Sequence, residues 1–232
     1  MGAGVGALWW YRRHSAQAPH PLIDLRIFRH ATYRTATLGA IPLRVAIGAS
    51  PFLLPLLMQV GFGLTPLQSG FLTFAGAIGS LSSRTALPGM LRRFGFRTIL
   101  LVGTVATSLC YAAYGLFTAG TPAPVMFGVM MLGGLFNACA MVALNTLGYS
   151  EIPRERTSHA TTAATMVNQL SLTFGVVAGS GLLALASHLR GGPGAVLQAI
   201  DFSWVFFAIG GFTALCVVGF RRLSPDDGAQ MR

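Results

Sequence analysis

The chain has 232 residues, 53% of them hydrophobic and 9% charged, with a mean hydropathy of +0.63. A soluble domain carries charge on about a quarter of its positions, so a soluble globule is excluded, and 16 Phe in long apolar runs exclude a disordered chain. Continuous rather than alternating apolar stretches exclude a porin-type barrel and leave an all-α, polytopic membrane protein.

Residues 1–11 are apolar but too short to span a bilayer. Their flanking charges, Arg12 and Arg13, come after the apolar part, whereas a signal peptide has them before it. The segment reads as the tail of a truncated helix, and 1–34 as that helix end plus a cytoplasmic linker. The run Gly2–Ala7 fits a dinucleotide fingerprint only formally, because no strand precedes it. His14, His20 and His30 match no metal-ligand spacing and read as interfacial.

Six spans follow, at 35–60, 67–88, 98–119, 123–149, 160–187 and 200–220. Each is long enough to cross a hydrocarbon core of about 30 Å. Gly- and Pro-bearing breaks at 61–66, 120–124 and 191–194 separate them, with Arg-bearing breaks at 89–97 and 150–159. The six-helix unit is 35–222, and 223–232 is a tail.

Helical spacing sorts the polar side chains into stripes. The first span aligns Thr37, Arg44, Gly48, Pro51, Pro55 and Gln59, with the two prolines set to kink it. Arg44 lies about 13 Å into the membrane at 1.5 Å per residue. A charge there costs a few kcal/mol, so Arg44 is expected to face a cavity. The second span aligns Ser69, Thr73, Ala77, Ser80 and Arg84, and Arg84 fits either snorkelling or a cavity. The fourth aligns Gly134, Asn137, Met141, Asn145 and Gly148. The fifth aligns Thr161, Thr165 and Asn168, with Gln169 beside them. Asn137, Asn145, Asn168 and Gln169 suit helix packing and cavity lining equally. Ser171, Gly175 and Gly179 form a small-residue row assigned to packing. The third and sixth spans read as apolar supports, with Tyr111 and Tyr114 as packing residues.

Cys110, Cys139 and Cys216 lie in apolar runs and read as buried thiols. No Asp or Glu lies within a span, Asp201 being at an edge. With no acid–base, nucleophile or metal cluster, an enzyme is not expected, nor any cofactor or metal.

All 16 basic residues are Arg. Thirteen fall in the N-terminal linker, alternate breaks and tail, and one, Arg190, on the other side. The positive-inside rule places the thirteen, and both termini, in the cytoplasm. This accounts for the net charge of +10 without nucleic acid as a partner.

Four runs carry a family resemblance. They are Pro21–Arg29, Pro51–Gly70, Arg92–Arg97, and Ala143–Leu147 with Glu151–Pro153. Together they resemble the C-terminal half of a major facilitator superfamily transporter, of the fourteen-span drug:proton antiporter type. Arg93, Gly95 and Arg97 match that family's cytoplasmic loop signature, G-x-x-x-D-R-x-G-R-R. Pro88 replaces its first Gly, Arg92 its Asp and Phe96 one Arg. In the family this loop helps lock one state. Without the Asp, here it is expected to anchor topology. The resemblance implies one six-helix bundle in a bacterial inner membrane, with the lipid bilayer and a small-molecule substrate as partners. It also implies a missing N-terminal six-helix half, or a homodimer partner, without which the chain is inactive. The other reading is a non-transporting accessory membrane protein.

Overall fold

The computed structural model describes residues 31–149, 157–192 and 194–221. The helix tail at 1–11, the histidines at 14, 20 and 30, the Pro21–Arg29 and Glu151–Pro153 runs and the tail 223–232 lie outside the described residues. Every described element is helical: α1 (Ala31–Thr37), α2 (Ile41–Leu56), α3 (Pro66–Gly115), α4 (Ala123–Tyr149), α5 (Thr157–Gly191) and α6 (Ala199–Phe220). A π-helical turn, Leu57–Gly61, extends α2.

Helix α3 is two spans joined without a loop. Gly95 (φ 75°, ψ 164°) breaks it into α3a (66–94) and α3b (96–115). The expected break at 89–97 thus shrinks to one residue, because glycine alone takes that backbone conformation without strain. Thr65 caps the start of α3: its hydroxyl accepts from the Gln68 amide at 3.3 Å, and the Gln68 side chain accepts from the Thr65 amide at 3.0 Å.

Five segments are long and apolar enough to cross a membrane: Tyr33–Gly61, Arg93–Gly115, Ala123–Gly148, Thr157–Gly191 and Ala199–Phe220. Helix α3a is long enough, but Thr73, Ser80, Ser82, Ser83 and Arg84 lower its apolarity. The bundle turns an apolar surface outward, with Phe174, Leu185, Leu189 and Trp204 among its exposed side chains.

The helices associate in close pairs through small residues, and α3b also packs on α4, where Gly103 meets Phe136 and Ala140. Helix α2 packs on α5, where a Cβ at Gly48 would overlap the Leu172 backbone and one at Gly175 that of Val45. Helix α3a packs on α4, with Gly134 against the Gly76 carbonyl. Helix α3b packs on α6, where Ser108 Oγ donates to Gly210 O at 2.7 Å. Ser171, Gly175 and Gly179 are buried in the α2–α5 contact, as their row predicts.

Two apolar cores fill the interior. One gathers Leu53, Met58, Tyr111, Tyr114, Phe202 and Phe206. The other, towards Gly95, gathers Leu43, Leu87, Phe96, Leu144, Cys216 and Phe220. Tyr33 Oη donates to Ala160 O at 2.7 Å and ties α1 to α5. The three cysteines are free thiols, two buried and Cys110 half-buried.

Candidate functional site

A cleft of about 720 Å³ runs along one side of the bundle. Helices α2, α3a, α3b, α4 and α5 line it, and α6 contributes nothing. From α2 come Ile47, Ser50, Pro51, Leu54 and Pro55. Proline has no amide hydrogen, so Pro51 and Pro55 leave the carbonyls of Ile47 and Pro51 without their helical donors beside the cleft.

Helix α3a contributes Thr73, Gly76, Ala77, Ser80, Ser83 and Arg84. Four members of its predicted stripe therefore share the cleft wall. Ser69, the fifth, is buried and accepts from Gln59 Nε2 at 3.4 Å. Helix α4 supplies Gly134, Asn137 and Met141, and α5 supplies Asn168 and Leu172.

The third span departs from its expected supporting role. Thr107, Cys110, Tyr111 and Tyr114 of α3b all reach the cleft. Ser50 Oγ donates to Tyr111 Oη at 3.1 Å across the α2–α3b contact. Tyr114 packs edge-on against Tyr111 and Phe206, with ring centroids 5.7 and 5.8 Å away. The rings do pack, as expected, and they also form the cleft floor. The signal for this face lay in Thr107, Tyr111 and Tyr114, which recur at helical spacings.

Arg44 is not among the lining residues. It is 3% exposed inside the bundle, and its Nη1 donates to Thr37 O at 2.6 Å. Helix α2 presents Ile47, Ser50 and Leu54 to the cleft instead, while Gly48, on the Arg44 side, is spent on α5. Of the other candidates, Asn137 and Asn168 line the cleft. Gln59, Asn145 and Gln169 are exposed and outside its lining.

In the loop signature, Gly95 forms the break itself and is buried, and Arg93 is exposed. Arg92 continues the helix. Arg97 Nη2 donates to Arg221 O at 3.1 Å, holding the end of α6 against the start of α3b.

At the opposite end, Arg190 and Asp201 form a two-pronged ion pair, Nε–Oδ1 2.8 Å and Nη2–Oδ2 2.9 Å. Asp201 Oδ2 also accepts from the Gln198 amide at 2.9 Å, so this carboxylate is engaged in securing the α5–α6 turn. Among the described residues there is no cluster of His, Cys, Asp and Glu that could hold a metal.

A cleft with an apolar floor, scattered neutral polar groups and one Arg can hold an amphipathic small molecule. Its polar atoms stand on several helices, so a ligand there would be sensitive to their relative movement.

Comparison with known proteins agrees with this architecture. Residues 2–176 match the model of the Major Facilitator Superfamily. A protein of Serratia proteamaculans (strain 568) named "Putative multidrug resistance protein MdtD" is 30% identical over 230 residues, covering 97% of this chain and 47% of its own length. Proteins of the same name from Yersinia enterocolitica and Citrobacter koseri are each 27% identical, over 227 and 226 residues. They are covered to 47% of their length by 97% and 96% of this chain respectively. The chain spans about half the length of the curated relatives it matches. Its helical bundle, its cleft and the family match over residues 2–176 place this chain, a multi-pass membrane protein, in the Major Facilitator Superfamily.

Proposed function

We propose that this bundle is one half of a two-bundle transporter that exports drugs or other small molecules at the expense of a proton gradient. The carrying observation is the one-sided cleft. Five helices contribute to it and its open side has no partner helix among the described residues. Transporters of this architecture hold substrate between two bundles near the midplane. The names of the relatives, and their roughly doubled length, support the same reading. The second bundle is supplied by other polypeptide sequence or by a second copy of this chain.

In this reading Asn137 and Asn168 contact substrate. Gln59, Asn145 and Gln169 continue the α2, α4 and α5 faces and meet the second bundle. No acidic residue lines the cleft among the described residues, so the proton-coupling carboxylate belongs to the second bundle. The Arg-rich end faces the cytoplasm of a bacterial inner membrane, with both termini there. Arg93, Gly95 and Arg97 hold the α3a–α3b turn at that face.

The test is flux in proteoliposomes carrying a proton gradient. A chimera joining the amino-terminal half of the Serratia relative to this chain is expected to move a fluorescent dye. This chain alone is expected not to. Flux by the chain alone, with a crosslinked dimer, would assign the second bundle to another copy. No flux by a folded chimera would favour a non-transporting accessory role.

A further inference from the structure

The charge inside the cleft is one-sided. Arg84 is the one ionised group in its lining among the described residues. The single ion pair among the described residues is Arg190–Asp201, so Arg84 has no acidic partner there. Arg84 is exposed on the wall of a largely apolar cleft, where a cationic group attracts an anion.

Two further cleft groups are unsatisfied. Thr107 is 1% exposed, and its hydroxyl has no hydrogen-bond partner. Asn137 Oδ1 is buried and likewise without a donor. A buried polar atom left unpaired is destabilising, so both atoms favour a ligand that offers a hydroxyl or N–H.

The helix register relates these groups. Gly76 packs on Gly134, and Gly79 packs between Met131 and Leu135, so α3a and α4 run side by side. Arg84 then lies about one helical turn, roughly 5 Å, nearer the Gly95 end than Asn137. Gly103 of α3b packs on Phe136 and Ala140, and Cys110 packs on Gly133, which sets Thr107 close to the level of Asn137. Apolar side chains, Leu54, Met130 and Leu172 among them, complete the wall.

We propose that this cleft binds amphipathic organic acids, with the acid group on Arg84, a hydroxyl or N–H on Thr107 and Asn137, and the apolar body against α2 and α5. The assignment rests on the transport reading above and names the substrate class of that same cleft. Permanently cationic compounds are disfavoured by this bundle, because its wall offers them a positive charge and, among the described residues, no carboxylate.

The native Cys110 reports occupancy, because it is half-buried and lines the cleft, while Cys139 and Cys216 are buried. The experiment is maleimide modification of the intact chain in zwitterionic proteoliposomes, read at each cysteine by mass spectrometry. Naphthalene-2-sulfonate and 2-naphthyltrimethylammonium serve as matched anionic and cationic competitors. The sulfonate at saturating concentration is expected to slow Cys110 labelling, and the concentration giving half protection reads its affinity, to which one unit charge at about 6 Å contributes at least about threefold even at the dielectric of water. The ammonium compound is expected to leave labelling unchanged. Arg84→Gln should raise the half-protecting concentration at least about threefold and Arg84→Lys should leave it near the native value, with Cys139 unlabelled throughout as the control for folding.

Protection by the cation as strong as by the anion would overturn the proposal. So would a half-protecting sulfonate concentration unchanged in Arg84→Gln, or no protection by either compound while Cys110 labels freely. In each of those cases the open cleft, and with it the transport reading, would stand. Absence of any Cys110 labelling would overturn both.

Discussion

The hydroxyl of Tyr114 rests directly on Gly133, and a Cβ on that glycine would collide with the phenol. The contact joins α3b to α4 at the cleft floor, and it admits no side chain. Gly133→Ala is therefore expected to destabilise the bundle by about 1–3 kcal/mol, the usual range for overpacking a filled interior. In a Tyr114→Phe background the same substitution should cost less, because the colliding oxygen is gone. Thermal unfolding of the four proteins in detergent measures that coupling. Equal costs in both backgrounds would place the strain elsewhere.

Arg44 is expected to act on folding. Its guanidinium is buried, with Nη1 on Thr37 O, where the chain turns from α1 into α2. Arg44→Ala should lower stability by about 1–3 kcal/mol through the lost charged hydrogen bond. Arg44→Lys should restore part of it, since the charge returns without the planar fork. The yield of monodisperse protein and its unfolding temperature report both. Normal stability of Arg44→Ala would reopen a role for Arg44 with a ligand.

Gly95 sits at φ 75° and ψ 164°, a region almost confined to glycine. Gly95→Ala is expected to cost about 1–3 kcal/mol and to loosen the α3a–α3b turn. Proteolysis at that turn should rise relative to the native chain. Gly89→Ala, where an added Cβ meets open space, is the matched control.

The second span shows how far a stripe can be read. Thr73, Ala77, Ser80 and Arg84 share one face of a helix with no interruption before Gly95, so helical spacing alone finds the cleft wall. The first span was harder for two physical reasons. The turn at Leu38–Ala40 separates Thr37 from Arg44, which breaks the phase between them. Small residues such as Gly48 serve a close helix contact as readily as a cavity, and only the position of α5 decides which. The third span's Thr107, Tyr111 and Tyr114 were legible as a face, but the apolarity of their neighbours pointed to a supporting helix. Asn145 and Gln169 are exposed beyond the cleft lining. Nothing in one bundle's sequence states what would cover them.

The most direct test of the account is whether water enters the cleft and stops there. Thr73→Cys and Asn168→Cys place thiols on the cleft wall. Phe174→Cys and Leu182→Cys place them on the apolar groove between α5 and α6, on another side of the bundle. In proteoliposomes of a chain otherwise free of cysteine, a charged, membrane-impermeant thiol reagent should modify the first pair and spare the second. Equal modification of all four, or modification of the groove pair alone, would contradict the cleft as an aqueous path for substrate.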